Sequence, residues 1–278
     1  STLVTEEHLV PRAKYPVVDI HGHANSLADP GVIEKMVREL DALNIQVYVA
    51  ADNMRGERLE RTLEAIRASP HGDRFRVLTG INFSDMEPGW GQRAANEIEV
   101  AIQAGAIGVG EISKSFGLTL TKPNGTRLRV DDPDLDPVWE TLARLGVPAF
   151  IHTAEPPEFF EAPNYENERW LELALFPDRR NYGPGHIGFD ELMMERDNLF
   201  RNHPETKFIA AHFGWHANDL GRAARLLDEF PNVYYEIGAI LYELGRQPRA
   251  VQDFFNRYQD RILFGKDSFQ PSEFPYYW

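Results

Sequence analysis

The sequence predicts an α/β fold, a single-domain (β/α)8 TIM barrel, from three observations. Short apolar segments alternate with amphipathic segments along all 278 residues, which is typical of parallel sheets built from repeated βα units. No linker or change in composition divides the chain. The segment after the first strand, "HGHANSLADP" (21–30), is not the glycine-rich phosphate loop usual in an open doubly wound sheet. We therefore expect one barrel domain over residues 1–278.

Eight strands are predicted where short runs of β-branched and aromatic residues are bounded by polar or turn residues. In chain order they cover residues 16–21, 45–51, 75–83, 106–113, 147–152, 207–212, 232–238 and 261–267. Helices are predicted between them from apolar residues repeating every three or four positions. Such stripes occur within residues 33–43, 59–66, 135–145 and 220–227. The first helix is the best marked, because Asp29 can cap it and Pro30 suits its first turn.

Two parts of the chain depart from a regular barrel. The connection after strand 5, residues 153–206, is rich in proline and aromatic residues and longer than a barrel loop with one helix. It is expected to contain the helix "GFDELMMERDNLFRN" (188–202) and an insertion that either crosses the barrel mouth or packs outside it. Only eleven residues follow Asp267, too few for a full outer helix, so we expect a chain truncated at its C-terminus.

Composition limits the possible functions. A formal net charge of −14 argues against a nucleic-acid partner, which clustered lysine and arginine would bind. No cysteine is present, so any metal must be bound through nitrogen and oxygen. No apolar run has the length of a membrane span. We expect a soluble protein, cytoplasmic or exported after loss of a leader, with a small-molecule substrate, no membrane partner and the possibility of a homo-oligomer.

Metal-binding side chains end several of the predicted strands. His21 and His23 lie two residues apart, so on an extended strand both point to one face. The other strand-end candidates are Glu111, His152, His212 and Asp267. Active sites of TIM barrels lie at the carboxyl ends of the strands, so these side chains should converge. This donor set suits Zn²⁺, with Mn²⁺ or Fe²⁺ as alternatives.

Four motifs, "DIHGH", "FIHTAEP", "IAAHFG" and "ILFGKD", resemble in order and spacing the metal-dependent amidohydrolase superfamily. Within it, the amidohydrolase 2 branch related to aminocarboxymuconate-semialdehyde decarboxylase is the most similar. The resemblance implies that His21, His23, His152 and Asp267 ligate a metal. It also implies that His212 is either catalytic or a ligand to a second ion.

One residue departs from the pattern of many hydrolases of this superfamily. Where they use a carboxylated lysine on strand 4 to bridge two metals, this chain has Glu111. A glutamate there can bridge two ions, or it can accept a hydrogen bond from a ligating imidazole. The sequence therefore leaves the number of ions, one or two, open.

Three functions are compatible with this site. The first is a metal-dependent hydrolase acting on an amide, ester or lactone of a small carboxylated molecule, in which Asp267 transfers the proton of the attacking water and His212 stabilises the oxyanion. The second is a nonoxidative decarboxylase, a lyase in which His212 helps to protonate the substrate carbon. The third is a noncatalytic ligand-binding barrel. Candidate substrate-binding residues on the rim loops are Arg55, Lys114, Trp215 and His216.

Overall fold

The computed structural model of the chain describes Glu6, residues 8–24 and residues 26–278. The strands are β1 (Val17–His23), β2 (Ile45–Met54), β3 (Phe75–Thr79), β4 (Val109–Ile112), β5 (Ala149–Ile151), β6 (Phe208–Ala210), β7 (Val233–Glu236), β8 (Ile262–Leu263) and β9 (Asp267–Ser268). The helices are α1 (Val32–Leu43), α2 (Gly56–Ala68), α3 (Trp90–Ala104), α4 (Ser115–Leu118), α5 (Asp136–Leu145), α6 (Trp170–Leu175), α7 (Phe189–Asn202), α8 (Leu220–Glu229), α9 (Leu241–Gly245), α10 (Pro248–Arg257) and α11 (Phe274–Tyr277). Strands and helices thus alternate as the sequence predicts.

The strands form one closed parallel sheet. Neighbours along the chain pair in order from β1 to β8, and β9 returns to pair with β1. Gly22 is opposite Asp267 and His23 is opposite Ser268 at this closure. The predicted single-domain α/β barrel is confirmed in its architecture. Because all strands run in the same direction, their carboxyl ends lie at one rim.

The eighth strand is interrupted, which the sequence did not predict. β8 pairs with β7, β9 pairs with β1, and the chain leaves the sheet between them. Gly265 lies in this gap, where a Cβ atom would overlap the Glu236 carboxylate and approach the His21 Cβ within 2.5 Å. Glu236 and His21 therefore leave room only for glycine at this position. Two residues later, Asp267 has a positive φ of 80°.

The outer helices pack on the barrel through the apolar stripes seen in the sequence. α1 buries Ile33, Met36, Val37, Leu40 and Leu43. Its start differs from expectation, because Gly31 with φ of 77° is the N-cap and no side chain caps the helix. The positive φ of that residue favours glycine over aspartate. Among the described helices, none is long and apolar enough to cross a membrane.

The long connection after β5 packs against the segment that follows β7. It contains α6 and the predicted helix α7, and Phe159 and Leu173 are buried within it. Arg169 of this segment contacts Glu243 of α9 at 3.2 Å. The insertion is therefore anchored to the loop that follows β7.

We predict that Gly91→Ala destabilises the fold. A Cβ atom at Gly91 in α3 would overlap the carbonyl oxygen of Asp134, just before α5, and overpacking of this kind lowers stability by about 1–3 kcal/mol. Chemical denaturation measures the free energy of unfolding. The matched control is Gly188→Ala, where the added methyl group meets no atom within 4 Å. Equal stability of the two variants would contradict the close packing of α3 against this turn.

Candidate metal centre

Two histidines of β1 and one aspartate of β9 form the first ligand group. Strand alternation places His21 and His23 on the same side of β1, and pairing of β9 with β1 brings Asp267 beside them. Asp267 Oδ1 lies 3.6 Å from His21 Nε2 and 3.2 Å from His23 Nε2. Glu111 Oε2, from β4, lies 3.4 Å and 3.5 Å from the same two nitrogens. These four side chains enclose one position.

The histidines that follow β5 and β6 form the second ligand group. His152 Nδ1 and His212 Nε2 are 3.2 Å apart. The other oxygen of Glu111, Oε1, lies 2.8 Å from His152 Nδ1 and 3.5 Å from His212 Nε2. Glu111 therefore contacts both groups, one with each oxygen. His152 lies with His212, whereas the resemblance implied a single set of His152 with His21, His23 and Asp267.

Acceptors behind the imidazoles orient them. Asp52 Oδ1 hydrogen-bonds His23 Nδ1 at 3.2 Å, and the Gly238 carbonyl hydrogen-bonds His212 Nδ1 at 2.9 Å. Glu236 Oε2 lies 3.0 Å from His21 Nδ1. An acceptor next to Nδ1 favours the tautomer with its proton there and leaves the Nε2 lone pair free. All three Nε2 atoms face the ligand groups, so the neutral imidazoles are arranged as metal ligands.

The turn after β6 holds His212 in an unusual backbone conformation. His212, Phe213 and Trp215 have φ values of 54°, 58° and 56°, and Gly214 continues the left-handed path. Left-handed conformations are unfavourable for residues other than glycine, by about 1–2 kcal/mol each. The buried Arg196 donates to the Gly214 carbonyl at 2.9 Å and helps to hold the turn. As a result His212 is buried, and the Trp215 ring stacks on its imidazole with the two ring centroids 4.8 Å apart.

The imidazoles keep the central carboxylates ionised. Burial alone raises the pKa of a carboxyl group, but His21 and His152 outweigh this effect and hold the pKa of Glu111 well below its usual value. Burial likewise opposes ionisation of Asp267, whose pKa is nevertheless lowered by the contact with His23. Both carboxylates are therefore charged at neutral pH.

The carboxylates in turn favour protonation of the imidazoles. Burial opposes charge on His21, but Glu236 and Glu111 raise its pKa well above the ordinary value. Hydrogen bonds, chiefly with Asp267 and to a smaller extent with Asp52, raise the pKa of His23 to about 12. These nitrogens thus attract positive charge, which a metal ion can supply in place of protons.

The centre has an excess of carboxylates. Five lie in or directly behind the ligand groups: Asp19, Asp52, Glu111, Glu236 and Asp267. Burial raises the pKa of Asp19 to about 7, and the other four are Asp52, Glu111, Glu236 and Asp267. Within the described part of the chain, every ion pair of those four is with an imidazole. With neutral imidazoles the negative charge is uncompensated, and divalent cations fit this donor set.

Unpartnered buried atoms also fit a metal. His21 Nε2 and Glu111 Oε1 are buried and have no hydrogen-bond partner of good geometry, and the same holds for His21 Nδ1, whose 3.0 Å contact with Glu236 Oε2 is an ion pair. Buried polar atoms are normally satisfied, so such atoms indicate an ion or another ligand at that position. The groups His21, His23, Glu111 and Glu111, His152, His212 each bring one ligand atom per residue within 4.8 Å of the others.

The predicted substrate-binding residues have different surroundings. Trp215 contacts the rings of His212 and His152. Lys114 is about half exposed and pairs with the buried Glu155. His216 is buried, and its Nε2 has no partner. Arg55 instead lines a groove of about 500 Å³ between α2 and α3, whose lining includes no ligand-group residue.

Sequence reasoning missed the role of Asp52 and left that of Glu236 open. Asp52 lies near the carboxyl end of β2, where the same search of strand ends would have found it. Glu236 is the last residue of β7. Its position at a strand end can be recognised in the sequence. A lone glutamate among apolar residues, however, does not indicate which imidazole it contacts.

Known proteins resemble this chain in sequence and in fold. The family model described as Amidohydrolase matches residues 18–277. A gamma-resorcylate decarboxylase from Polaromonas sp. is 26% identical over 222 residues, which is 77% of this chain and 63% of that protein. A gamma-resorcylate decarboxylase from Rhodococcus jostii is 24% identical over 200 residues, 71% of this chain and 57% of that protein. The chain therefore spans about three fifths of the length of these curated relatives.

A solved structure shares the fold. An uncharacterised TIM-barrel protein from Bordetella bronchiseptica superposes with a TM-score of 0.53 at 16% identity, covering 91% of this chain and 77% of that one. At this identity the similarity concerns the barrel and not its chemistry.

We predict that metal uptake releases protons and strengthens as pH rises from 6 to 8. The raised pKa values of His21 and His23 mean that these imidazoles are protonated in the metal-free protein at neutral pH, and an incoming ion must displace those protons. Calorimetric titration with Zn²⁺ in buffers of different ionisation enthalpy counts the protons. His203→Gln, which alters a histidine paired with Asp136 outside the centre, should release the same number. Uptake without proton release would contradict the arrangement.

Proposed function

The chain belongs to the amidohydrolase family, and from that premise we propose that it is a metal-dependent hydrolase with two divalent ions at its centre. The observation that carries the proposal is the position of Glu111, with Oε2 facing the first ligand group and Oε1 facing the second. A carboxylate between two sets of imidazoles is placed to bridge two cations. The local excess of negative charge supports the same stoichiometry.

Each ligand group supplies donors for one ion. His21, His23 and Asp267 would hold the first ion, and His152 with His212 would hold the second. Glu111 would be shared by both. Nitrogen and oxygen donors without sulfur suit zinc, with manganese or iron as alternatives. When bound, such ions polarise a carbonyl group and make water a nucleophile at neutral pH.

The chain's own residues would then position substrate and transfer protons. Asp267 is one-third exposed at the mouth of the centre, so it can accept the proton of the attacking water and return it to the leaving group. His212 would hold the second ion through Nε2, and the positive charge held there would stabilise the developing oxyanion. Trp215 forms a wall beside His152, and Lys114 at the rim can attract a carboxylate. These residues suit an amide, ester or lactone of a small carboxylated molecule.

A second candidate function is nonoxidative decarboxylation. Two curated relatives are gamma-resorcylate decarboxylases, although each resembles this chain over only part of its length. In this alternative the substrate carboxylate would lie at the metal centre, and protonated His212 would deliver a proton to the substrate carbon as carbon dioxide leaves. His212 Nδ1 donates a hydrogen bond to the Gly238 carbonyl, so the neutral ring presents a lone pair at Nε2, as a metal ligand does. Burial opposes charge on His212, but the contact with Glu111 raises its pKa, which favours the protonated ring that this second candidate function needs.

We predict two ions in the wild-type protein and about one in Glu111→Gln, because the amide replaces the charged oxygen shared by the two positions. Elemental analysis after Zn²⁺ loading and dialysis gives the ratio of metal to protein. Asp190→Asn, a change at an exposed residue paired with Arg222, serves as the control and should retain two ions. A wild-type ratio of one would contradict the two-ion centre.

We predict that Asp267→Asn lowers turnover by about 10²-fold or more, the range expected for loss of a general acid or base. A panel of lactones, esters and amides measures hydrolysis, and release of carbon dioxide from gamma-resorcylate measures decarboxylation. The control is Asp228→Asn in α8, at a residue paired with Arg257 of α10, which should retain activity. Carbon dioxide release with no hydrolysis would contradict the hydrolase and support the decarboxylase. Unchanged activity of Asp267→Asn in both assays would contradict both.

A further inference from the structure

Glu236 is a fully buried carboxylate behind the ligand groups. Its side chain is 0% exposed, and the only ion pair that it makes among the described residues is with His21, whose Nδ1 lies 3.0 Å from Oε2. The Glu236 carboxylate lies on the Nδ1 side of that ring, while Glu111 and Asp267 lie near Nε2. Glu236 is thus separated from the proposed ion position by the imidazole itself.

The same carboxylate contacts the second ligand group. Oε2 accepts a hydrogen bond from the backbone N–H of His212 at 3.1 Å. Oε1 accepts one from the N–H of Gly238, and the carbonyl of Gly238 accepts the hydrogen bond from His212 Nδ1. Glu236 therefore fixes both the strained backbone of His212 and the loop that orients its ring.

The chain leaves space for this carboxylate with two glycines. A Cβ atom at Gly238 would lie 2.5 Å from Glu236 Oε1, and one at Gly265 would overlap the same oxygen. Neither glycine has the positive φ that would require glycine for backbone reasons. Close approach to the Glu236 side chain is thus what excludes a larger residue at these positions.

From these contacts we propose that Glu236 is a positioning residue that holds one imidazole of each ligand group with its metal-binding nitrogen facing inward. This proposal rests on the metal centre described under the proposed function. Its negative charge favours the proton of His21 on Nδ1, which leaves Nε2 for the ion. Its two carboxylate oxygens accept backbone hydrogen bonds, one from His212 in the left-handed turn and one from Gly238, whose carbonyl orients the His212 ring. Outer carboxylates of this kind typically change metal affinity by about 10–100-fold.

The test is the zinc affinity of Glu236→Gln, measured by competition with a chromophoric chelator. The amide is nearly the same size but has no charge, and its NH₂ group would face a nitrogen or a backbone N–H that needs an acceptor. We expect the affinity to fall by about 10–100-fold. Glu236→Asp, which retains the charge at a shorter reach, should recover part of it.

The matched control is Glu195→Gln. Glu195 is also 0% exposed and accepts a backbone hydrogen bond, from Val130, but its ion pairs are with Arg127 and Arg129 outside the centre. This variant should lose stability without losing zinc affinity. Equal zinc affinity in wild type, Glu236→Gln and Glu195→Gln would overturn the proposal, as would an equal loss in the Gln and Asp variants of Glu236.

A spectroscopic measurement on the wild type needs no variant. In zinc-loaded protein with ¹⁵N-labelled histidine, long-range proton–nitrogen spectra identify which ring nitrogen of His21 carries the proton. We expect a protonated Nδ1 and a metal-bound Nε2, and the reverse would overturn the proposal. Failure of the wild type to bind zinc would instead refute the proposed metal centre itself, so the two failures are distinguishable.

Discussion

The structure depends on a concentration of buried negative charge at the carboxyl rim of the barrel. Glu111 lies at its centre, with Asp267 in front and Glu236 and Asp52 behind. Buried carboxylates without counter-charges are strongly unfavourable, and the imidazoles between them can supply that charge only by taking up protons. A divalent cation bound there would compensate the charge and leave the imidazoles neutral.

The fold carries local strain where this charge is held. Three residues other than glycine take left-handed conformations after β6, and the eighth strand breaks at Gly265. Both irregularities lie against Glu236, which accepts the His212 N–H and excludes a side chain at Gly265. Backbone strain of this kind persists only where surrounding contacts determine it, and it concentrates at functional sites. The carboxylate behind the centre therefore connects barrel closure to ligand orientation.

The sequence predicted the barrel because strand and helix periodicities are local, and it predicted convergence of His21, His23, Glu111, His152, His212 and Asp267 because parallel strands end at one rim. It did not separate these residues into two groups, since that division depends on side-chain directions across the barrel. The split of the last strand arises from side chains distant in sequence. Arg55 follows a strand end yet lines an outer groove, because position after a strand does not fix the direction of a long side chain.

The most direct measurement of the central claim is anomalous diffraction at the zinc edge from crystals of the zinc-loaded protein. A centre bridged by Glu111 predicts two peaks, one beside each oxygen of Glu111. The first would lie among His21, His23 and Asp267, and the second between His152 and His212. A single peak shared by His21, His23, His152 and Asp267 would contradict the bridging carboxylate. No peak at the rim would contradict the metal centre altogether.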